Sequence, residues 1–247
     1  MTGDAGGPAP ATPAHDAIIL AGGRAARLGG ASKPALTAGG VPLLHRALDA
    51  AGAAGRIAVV GPDDLAGLLA AHPAAARSTL TREVPAFGGP AAGIAAGLAA
   101  LRGKAGDREE TTGPAARPGA PPLEGTDRWV LLLAVDVPRA AGAVGALVDA
   151  VGREACDGAH LVVDGRAQWL VGIYRAAALS GRLGAIGAGQ AGASAGTAGR
   201  GASVRQLMDG LDLLEVPDPG RLSADVDTPD DAAQLGIRLP RTPRSSP

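Results

Sequence analysis

Residues 17–33 read Ala17-Ile18-Ile19-Leu20-Ala21-Gly22-Gly23-Arg24-Ala25-Ala26-Arg27-Leu28-Gly29-Gly30-Ala31-Ser32-Lys33. The apolar run Ala17–Leu20 has no polar alternation, the pattern of a short strand buried on both faces in a parallel sheet. It feeds a glycine-rich loop. Glycines let the backbone come close to a ligand, and successive N–H groups can then converge on one point, which is how loops hold phosphate. Arg24, Arg27 and Lys33 add positive charge where a triphosphate would lie. The chain otherwise uses arginine, and Lys104 is the other lysine. A lysine kept against that bias points to a place for a compact ammonium and not a flat guanidinium.

Two common phosphate loops do not fit. Walker A needs a Ser or Thr after its lysine, but Lys33 is followed by Pro34. The dinucleotide pattern G-x-G-x-x-G is absent, because no glycine follows Gly22-Gly23 before Gly29.

Outward from the loop, strands alternate with helices. A helix over Pro42–Ala54 places Leu43, Leu44, Ala47, Leu48 and Ala51 on one face. Ile57–Val60 reads as a strand, and Asp63 or Asp64 can cap a helix running to Ala71. Thr79–Val84 reads as a strand, Pro90–Leu101 as an alanine-rich helix, Trp129–Val135 as the strongest strand and Ala140–Val151 as a helix. Leu161–Val163 and Trp169–Tyr174 flank the turn Asp164-Gly165 as a hairpin. Ser203–Met208 is a short helix with Ser203 as its cap, Leu211–Val216 a strand and Pro229–Leu235 a helix. This order predicts an α/β fold: three layers, Rossmann-like, with a mostly parallel sheet and helices on both faces. In such sheets ligands bind beyond the carboxyl ends of the strands, where Gly22-Gly23 and Asp136 both sit.

Residues 1–15 are expected to be a disordered tail, 16–237 a single domain, and 238–247 a loose tail. Gly103–Asp127 is rich in Gly, Pro and charge, and Gly184–Ala202 is nearly all Gly, Ala and Ser. Both read as mobile insertions, because neither can bury enough surface to offset its ordering entropy. The chain has 247 residues, a net charge of −1 and 2% aromatics, which argues against nucleic acid or anionic membrane as a partner. No apolar run is long enough to span a membrane, no secretory pattern opens the chain, and a cytoplasmic enzyme is expected. Cys156 is the single cysteine, so neither an internal disulfide nor a cysteine metal site is expected. His15, His45, His72 and His160 lack metal-ligand spacing and read as surface or cap residues.

Two acidic positions can carry chemistry. Asp136 ends the strongest strand and precedes Val137-Pro138. There it offers a hard oxygen to Mg²⁺ or caps the next helix. In Asp225-Val226-Asp227-Thr228-Pro229, alternation puts Asp225 and Asp227 on one face, while Asp227 or Thr228 is also a good cap for the following helix.

The glycine-rich loop resembles the opening of nucleotidyltransferases of the molybdenum cofactor guanylyltransferase type, L-A-G-G-x-x-x-R-M-G-G-x-D-K. Leu20, Ala21, Gly22, Gly23, Arg27, Gly29, Gly30 and Lys33 match, whereas Leu28 and Ser32 depart from it. Gly88-Gly89-Pro90-Ala91-Ala92-Gly93-Ile94 resembles the family's G-G-P-L-A-G-I, and Asp136-Val137-Pro138 its D-x-P. Asp225–Asp230 is similar to D-V-D-T-P-E, and Gln168–Arg175 to Q-P-L-x-x-L-Y-R, where the acceptor would dock. Val84 stands in place of a nucleotide-contacting aspartate, Glu83 beside it points the other way by strand alternation, and Gly61 stands in place of an asparagine found in some members.

The resemblance implies the fold of the nucleotide-diphospho-sugar transferases. It implies a Mg²⁺-dependent transfer of a nucleoside monophosphate, GMP from GTP, to a molybdopterin-type cofactor, with transient contact to molybdenum cofactor insertion proteins. It assigns Lys33 and Arg27 to catalysis. Leu20, Ala21, Gly22, Gly23, Arg24, Lys33, Gly89 and Asp136 would bind nucleotide, and Asp136 with Asp227 would hold the metal. A CTP-using relative, one acting on a sugar phosphate or phospho-carboxylate, and a non-catalytic nucleotide binder are the alternatives.

Overall fold

The structure, a computed structural model, describes residues 13–22, 32–83, 88–103, 128–189, 199 and 201–239. The strands are β1 (His15–Leu20), β2 (Thr37–Ala38), β3 (Val41–Pro42), β4 (Ile57–Val60), β5 (Ser78–Thr81), β6 (Trp129–Ala134), β7 (Gly158–Val163), β8 (Arg166–Arg175), β9 (Leu213–Pro217) and β10 (Ile237–Arg238). The helices are α1 (Leu43–Ala50), α2 (Ala66–Ala70), α3 (Pro90–Gly103), α4 (Ala141–Arg153), α5 (Ala176–Gly189), α6 (Val204–Met208) and α7 (Pro229–Gln234).

The main sheet has 7 strands in the order β5-β4-β1-β6-β8-β7-β9. β1 pairs in parallel with β4 and β6, β4 with β5, and β7 with β9. β8 runs antiparallel between β6 and β7. The expected mostly parallel α/β sheet is therefore present, with one reversed strand.

Alternation along the buried strands builds a core on each face. Ile18, Ala58 and Leu132 stand in register and pack with Ile94 and Leu98 of α3. Their neighbours Ile19, Val59 and Leu133 face the other way, under Leu44 and Leu48 of α1 and Leu147 of α4. Gly97 lets α3 lie tight on the sheet, since a Cβ there would stand 2.8 Å from Ile18 Cγ2. Gly93 and Gly97 therefore mark close packing and do not interrupt the helix.

Several boundaries differ from expectation. α1 stops at Ala50 and β5 at Thr81, so Arg82 and Glu83 lie beyond the strand. α5 runs to Gly189, into the segment read as an insertion, because Leu179 and Leu183 bury against the sheet and outweigh the weak helix propensity of its glycines. A second, 3-stranded sheet, β10-β2-β3, was not read from sequence. The β7–β8 turn is as expected: Asp164 at φ 49° and Gly165 at φ 73° give the type I′ geometry of a two-residue hairpin loop. His15 and His160 are buried in strands and not at the surface, whereas His72 does cap a short helix by accepting from Ala74 N–H. No helix among the described residues is long and apolar enough to cross a membrane.

Candidate functional site

The parallel strands β1 and β6 end side by side, with Leu20 in register with Ala134. Backbone bonds extend the pairing past the strands: Ala21 N–H donates to Val60 O at 2.8 Å and Val135 N–H to Leu20 O at 3.0 Å. Ala21 and Val135 are buried, and Asp136 follows at the rim, half-buried. The chain then turns through Val137-Pro138 into α4, whose N-terminal flank is Ala140, with no side-chain cap. Asp136 does not cap that helix.

Lys33 opens a short 3-10 turn, Lys33–Ala35, with Pro34 pre-setting its first φ. Its ammonium reaches Asp136 Oδ2 at 2.8 Å and Asp227 Oδ1 at 2.6 Å. Burial alone would lower the Lys33 pKa, but the hydrogen bonds and charges of Asp136 and Asp227 outweigh it and hold the group above its usual value. One cation thus joins two carboxylates lying 103 and 194 residues away in sequence.

Asp227 is placed by its neighbours on both sides. Val226 is fully buried, and its N–H donates to Asp136 O at 3.1 Å, tying the acidic segment to the end of β6. Thr228, and not Asp227, is the N-cap of α7, in a capping box with Asp231. That frees the Asp227 carboxylate to face Lys33. Asp225 shares its face, as alternation predicted. Its pKa is raised, first by desolvation among the surrounding protein atoms and then by the charges of Asp136 and Asp227.

α3 begins over the same strand ends. Gly89 has φ 91°, a conformation open to glycine, and leads into Pro90. A Cβ on Gly93 would stand 3.1 Å from Leu20 Cδ2 and 3.3 Å from Glu83 Oε2. The G-G-P-A-A-G segment therefore sits over the end of β1. Glu83, expected to point away, instead turns its carboxylate to this helix, because it lies past the strand and is not bound by strand alternation. At Gly61, a Cβ would meet Leu65 Cδ1 at 2.7 Å and Ala21 O at 3.2 Å, so no asparagine fits without a shift.

The structure thus brings together Leu20, Ala21, Gly22, Lys33, Gly89, Asp136 and Asp227 at the carboxyl ends of the parallel strands. Gly23, Arg24, Arg27 and Val84 lie outside the described residues. Among the described residues no set of three or more His, Cys, Asp or Glu side chains is arranged around a metal position. Two carboxylate oxygens do converge on one cation, the Lys33 ammonium, and hard anionic oxygens are the donors Mg²⁺ takes. The donor chemistry at this point fits the ion.

Sequence reasoning missed a group of arginines beside this cluster. Arg139, Arg166 and Arg221 border a cavity of about 670 Å³ that also reaches Gln168 and Asp225. Arg139 could have been suspected from its place just after Asp136-Val137-Pro138, but Arg221 carries no local signal.

The MobA-like NTP transferase domain family matches residues 17–202. No curated protein matches the chain. Among solved structures, molybdopterin-guanine dinucleotide biosynthesis protein A from Archaeoglobus fulgidus is similar at 17% identity with a TM-score of 0.57, covering 90% of this chain and 96% of its own. The Rv0371c protein of Mycobacterium tuberculosis H37Rv is similar at 19% identity and TM-score 0.60, covering 91% and 98%. The 4-diphosphocytidyl-2C-methyl-D-erythritol synthase of Anaerococcus prevotii is similar at 12% identity and TM-score 0.59, covering 92% and 96%. At these identities the likenesses are likenesses of fold.

Proposed function

This chain belongs to the MobA-like NTP transferase domain family, and we propose that it moves GMP from GTP onto the phosphate of a molybdopterin-type cofactor, releasing pyrophosphate. The observation that carries the reading is the single ammonium of Lys33 held between Asp136 and Asp227 at the ends of β1 and β6. Two carboxylates share this one cation at the mouth of a parallel sheet, where ligands bind in such folds, and they offer the hard oxygens a divalent metal takes.

The chemistry needs no protein nucleophile. An oxygen of the acceptor phosphate attacks the α-phosphorus in line, the new P–O bond forms, and the bond to the β-phosphate oxygen breaks, its electron pair leaving with pyrophosphate. Catalysis is then positioning plus stabilisation of charge on the phosphate oxygens. Leu20, Ala21, Gly22, Gly23, Arg24 and Gly89 would hold the nucleotide through close backbone approach and charge. Lys33 would exchange its carboxylate partners for phosphate oxygens, with Arg27 beside it. Asp136 and Asp227 would hold a Mg²⁺ ion, which when bound offsets the charge of the α- and β-phosphate oxygens. Residues 16–237 would act as one domain in the cytoplasm, handing product on through transient contact with molybdenum cofactor insertion proteins.

The test is pyrophosphate release with Mg²⁺, purified molybdopterin cofactor and each NTP in turn. GTP alone should give turnover that depends on the acceptor. Turnover with CTP in preference to GTP would replace the guanylyltransferase assignment with a cytidylyltransferase one. Saturable NTP binding with no release would favour a non-catalytic relative.

A further inference from the structure

We propose that the cavity bordered by Arg139, Arg166 and Arg221 seats the body of the acceptor and selects acceptors that carry an anionic group besides the reacting phosphate. This rests on the nucleotidyltransferase reading, and it concerns residues to which that reading assigns no role.

The cavity, about 670 Å³, lies between the β7–β8 hairpin and the segment that leads into α7. A space of that size suits a small organic molecule. Asp225 forms part of its wall, and that carboxylate interacts with Asp136, Asp227 and Lys33. Val226, the next residue, donates its N–H to Asp136 O at 3.1 Å, and Arg139 stands three residues after Asp136, so the cavity borders the segments that carry the lysine cluster. A molecule lying in it can present one end to the reacting centre and leave its remainder among the arginines.

The three guanidinium groups come from three parts of the chain: the turn after Asp136, the first residue of β8, and the turn before Ser223. Arg139 Nη2 donates to Arg221 O at 3.1 Å, and Arg221 Nη2 pairs with Asp164 Oδ2 at 2.6 Å. The carboxylates on the same wall are otherwise engaged. Asp164 holds Arg221, Asp231 is bound into the α7 capping box, and the charge of Asp225 lies in the field of Asp136 and Asp227. Arg166 is exposed and has no carboxylate partner among the described residues. A second anion on a ligand would meet Arg166 directly and Arg221 in exchange for Asp164, in the forked geometry that suits carboxylate and phosphate.

The backbone singles out Arg221. It has φ 49°, a left-handed conformation that a long side chain rarely adopts, and Gly220 stands directly before it. The turn is otherwise firmly built. Buried Asp218 accepts from Leu222 N–H at 2.8 Å, Ser223 N–H at 2.8 Å and the Ser223 hydroxyl at 2.7 Å. Backbone preference alone would place glycine or asparagine at position 221. From this strained position the guanidinium reaches Asp164 across the rim at 2.6 Å.

The test uses the full chain and 3-phosphoglycerate, a small phosphate carrying a carboxylate, as the probe. Calorimetry measures its binding to wild type, Arg221→Asn and Arg221→Lys, together with Mg²⁺–GTP binding and the unfolding midpoint. Asparagine accepts the left-handed conformation, so Arg221→Asn should melt no lower than wild type. It should bind the probe roughly 10-fold or more weakly, the loss of a charge-assisted contact, with GTP binding unchanged. Arg221→Lys should retain most of the probe affinity. Unchanged probe binding in Arg221→Asn, absence of saturable probe binding in wild type, or a joint fall in probe binding, GTP binding and melting temperature would overturn the proposal. If wild type binds the probe with this mutational pattern but does not bind GTP, the nucleotidyltransferase reading falls while the anion selectivity of the cavity stands.

Discussion

The two ends of β1 carry ion clusters of opposite design. At the amino end, Asp16 is 1% exposed and meets two guanidiniums, Arg56 at 3.0 Å and Arg128 at 2.8 Å. Arg56 N–H adds a third bond, at 3.0 Å to Oδ1. Every oxygen of this carboxylate is satisfied, the cations partly reach water, and the cluster ties β1 to the starts of β4 and β6. At the carboxyl end the ratio is inverted. One ammonium serves Asp136 and Asp227, Asp225 stands close by, and Asp227 is 53% exposed. Both clusters carry one uncompensated charge, but at the amino end it rests on guanidiniums around a buried, fully bonded carboxylate, whereas at the carboxyl end it rests on carboxylates that reach water and can take a cation. The contrast separates structural from functional charge on a single strand.

The largest expected effect lies at the amino end. Removing one partner of a buried ion cluster leaves uncompensated charge, so Asp16→Ala should lower unfolding free energy by about 3–5 kcal/mol in denaturant titrations. Its NTP affinity should persist wherever the protein remains folded. A small loss of stability there would erase the distinction between the two ends.

At the carboxyl end, removing the cation should act in the other direction. Lys33→Ala leaves Asp136 and Asp227 facing each other without their counter-charge. In nucleotide-free protein the variant should bind Mn²⁺ roughly 10-fold more tightly than wild type, as expected when a competing charge a few ångströms away is removed. Titration followed by electron paramagnetic resonance reads this directly, and weaker Mn²⁺ binding would place the metal elsewhere.

The smallest effect sharpens the comparison by pH. The Asp225 pKa is raised in the folded protein, by desolvation and then by Asp136 and Asp227, so its charged form is disfavoured on folding. The cost is absent below the unfolded carboxylate pKa and complete above the raised one. Asp225→Asn should therefore melt slightly above wild type at neutral pH, and the gap should close as pH falls through the carboxylate range. A gap that widens in acid would show that Asp225 is stabilised as the anion.

Much of this arrangement was legible in the sequence because uninterrupted apolar runs such as Trp129–Ala134 fix buried strands, and carboxylates at their ends fall in the cleft. What escaped reading depended on tertiary contact. The last turns of α5 look like a glycine-rich loop until Leu179 and Leu183 find their core. The two-residue strands β2, β3 and β10 are too short to show a period. Glu83 was assigned a direction by strand alternation, but the strand ends at Thr81. Lys33, Asp136 and Asp227 were each legible as candidates, yet that one ammonium bridges both carboxylates is a fact of three dimensions. The left-handed Arg221 has no sequence signature at all, since nothing local marks a non-glycine residue for that conformation.

The central claim is that Lys33 belongs to the phosphate chemistry and not to the fold. The direct measurement is pyrophosphate release by Lys33→Ala with Mg²⁺, GTP and molybdopterin cofactor, alongside its unfolding midpoint. An ammonium about 4 Å from a phosphate oxygen contributes up to about 4 kcal/mol at an effective dielectric near 20. With part of that realised in the transition state, release should fall roughly 100-fold or more while the midpoint stays close to wild type. Release at the wild-type rate, or a loss of activity that only follows a loss of folded protein, would contradict it.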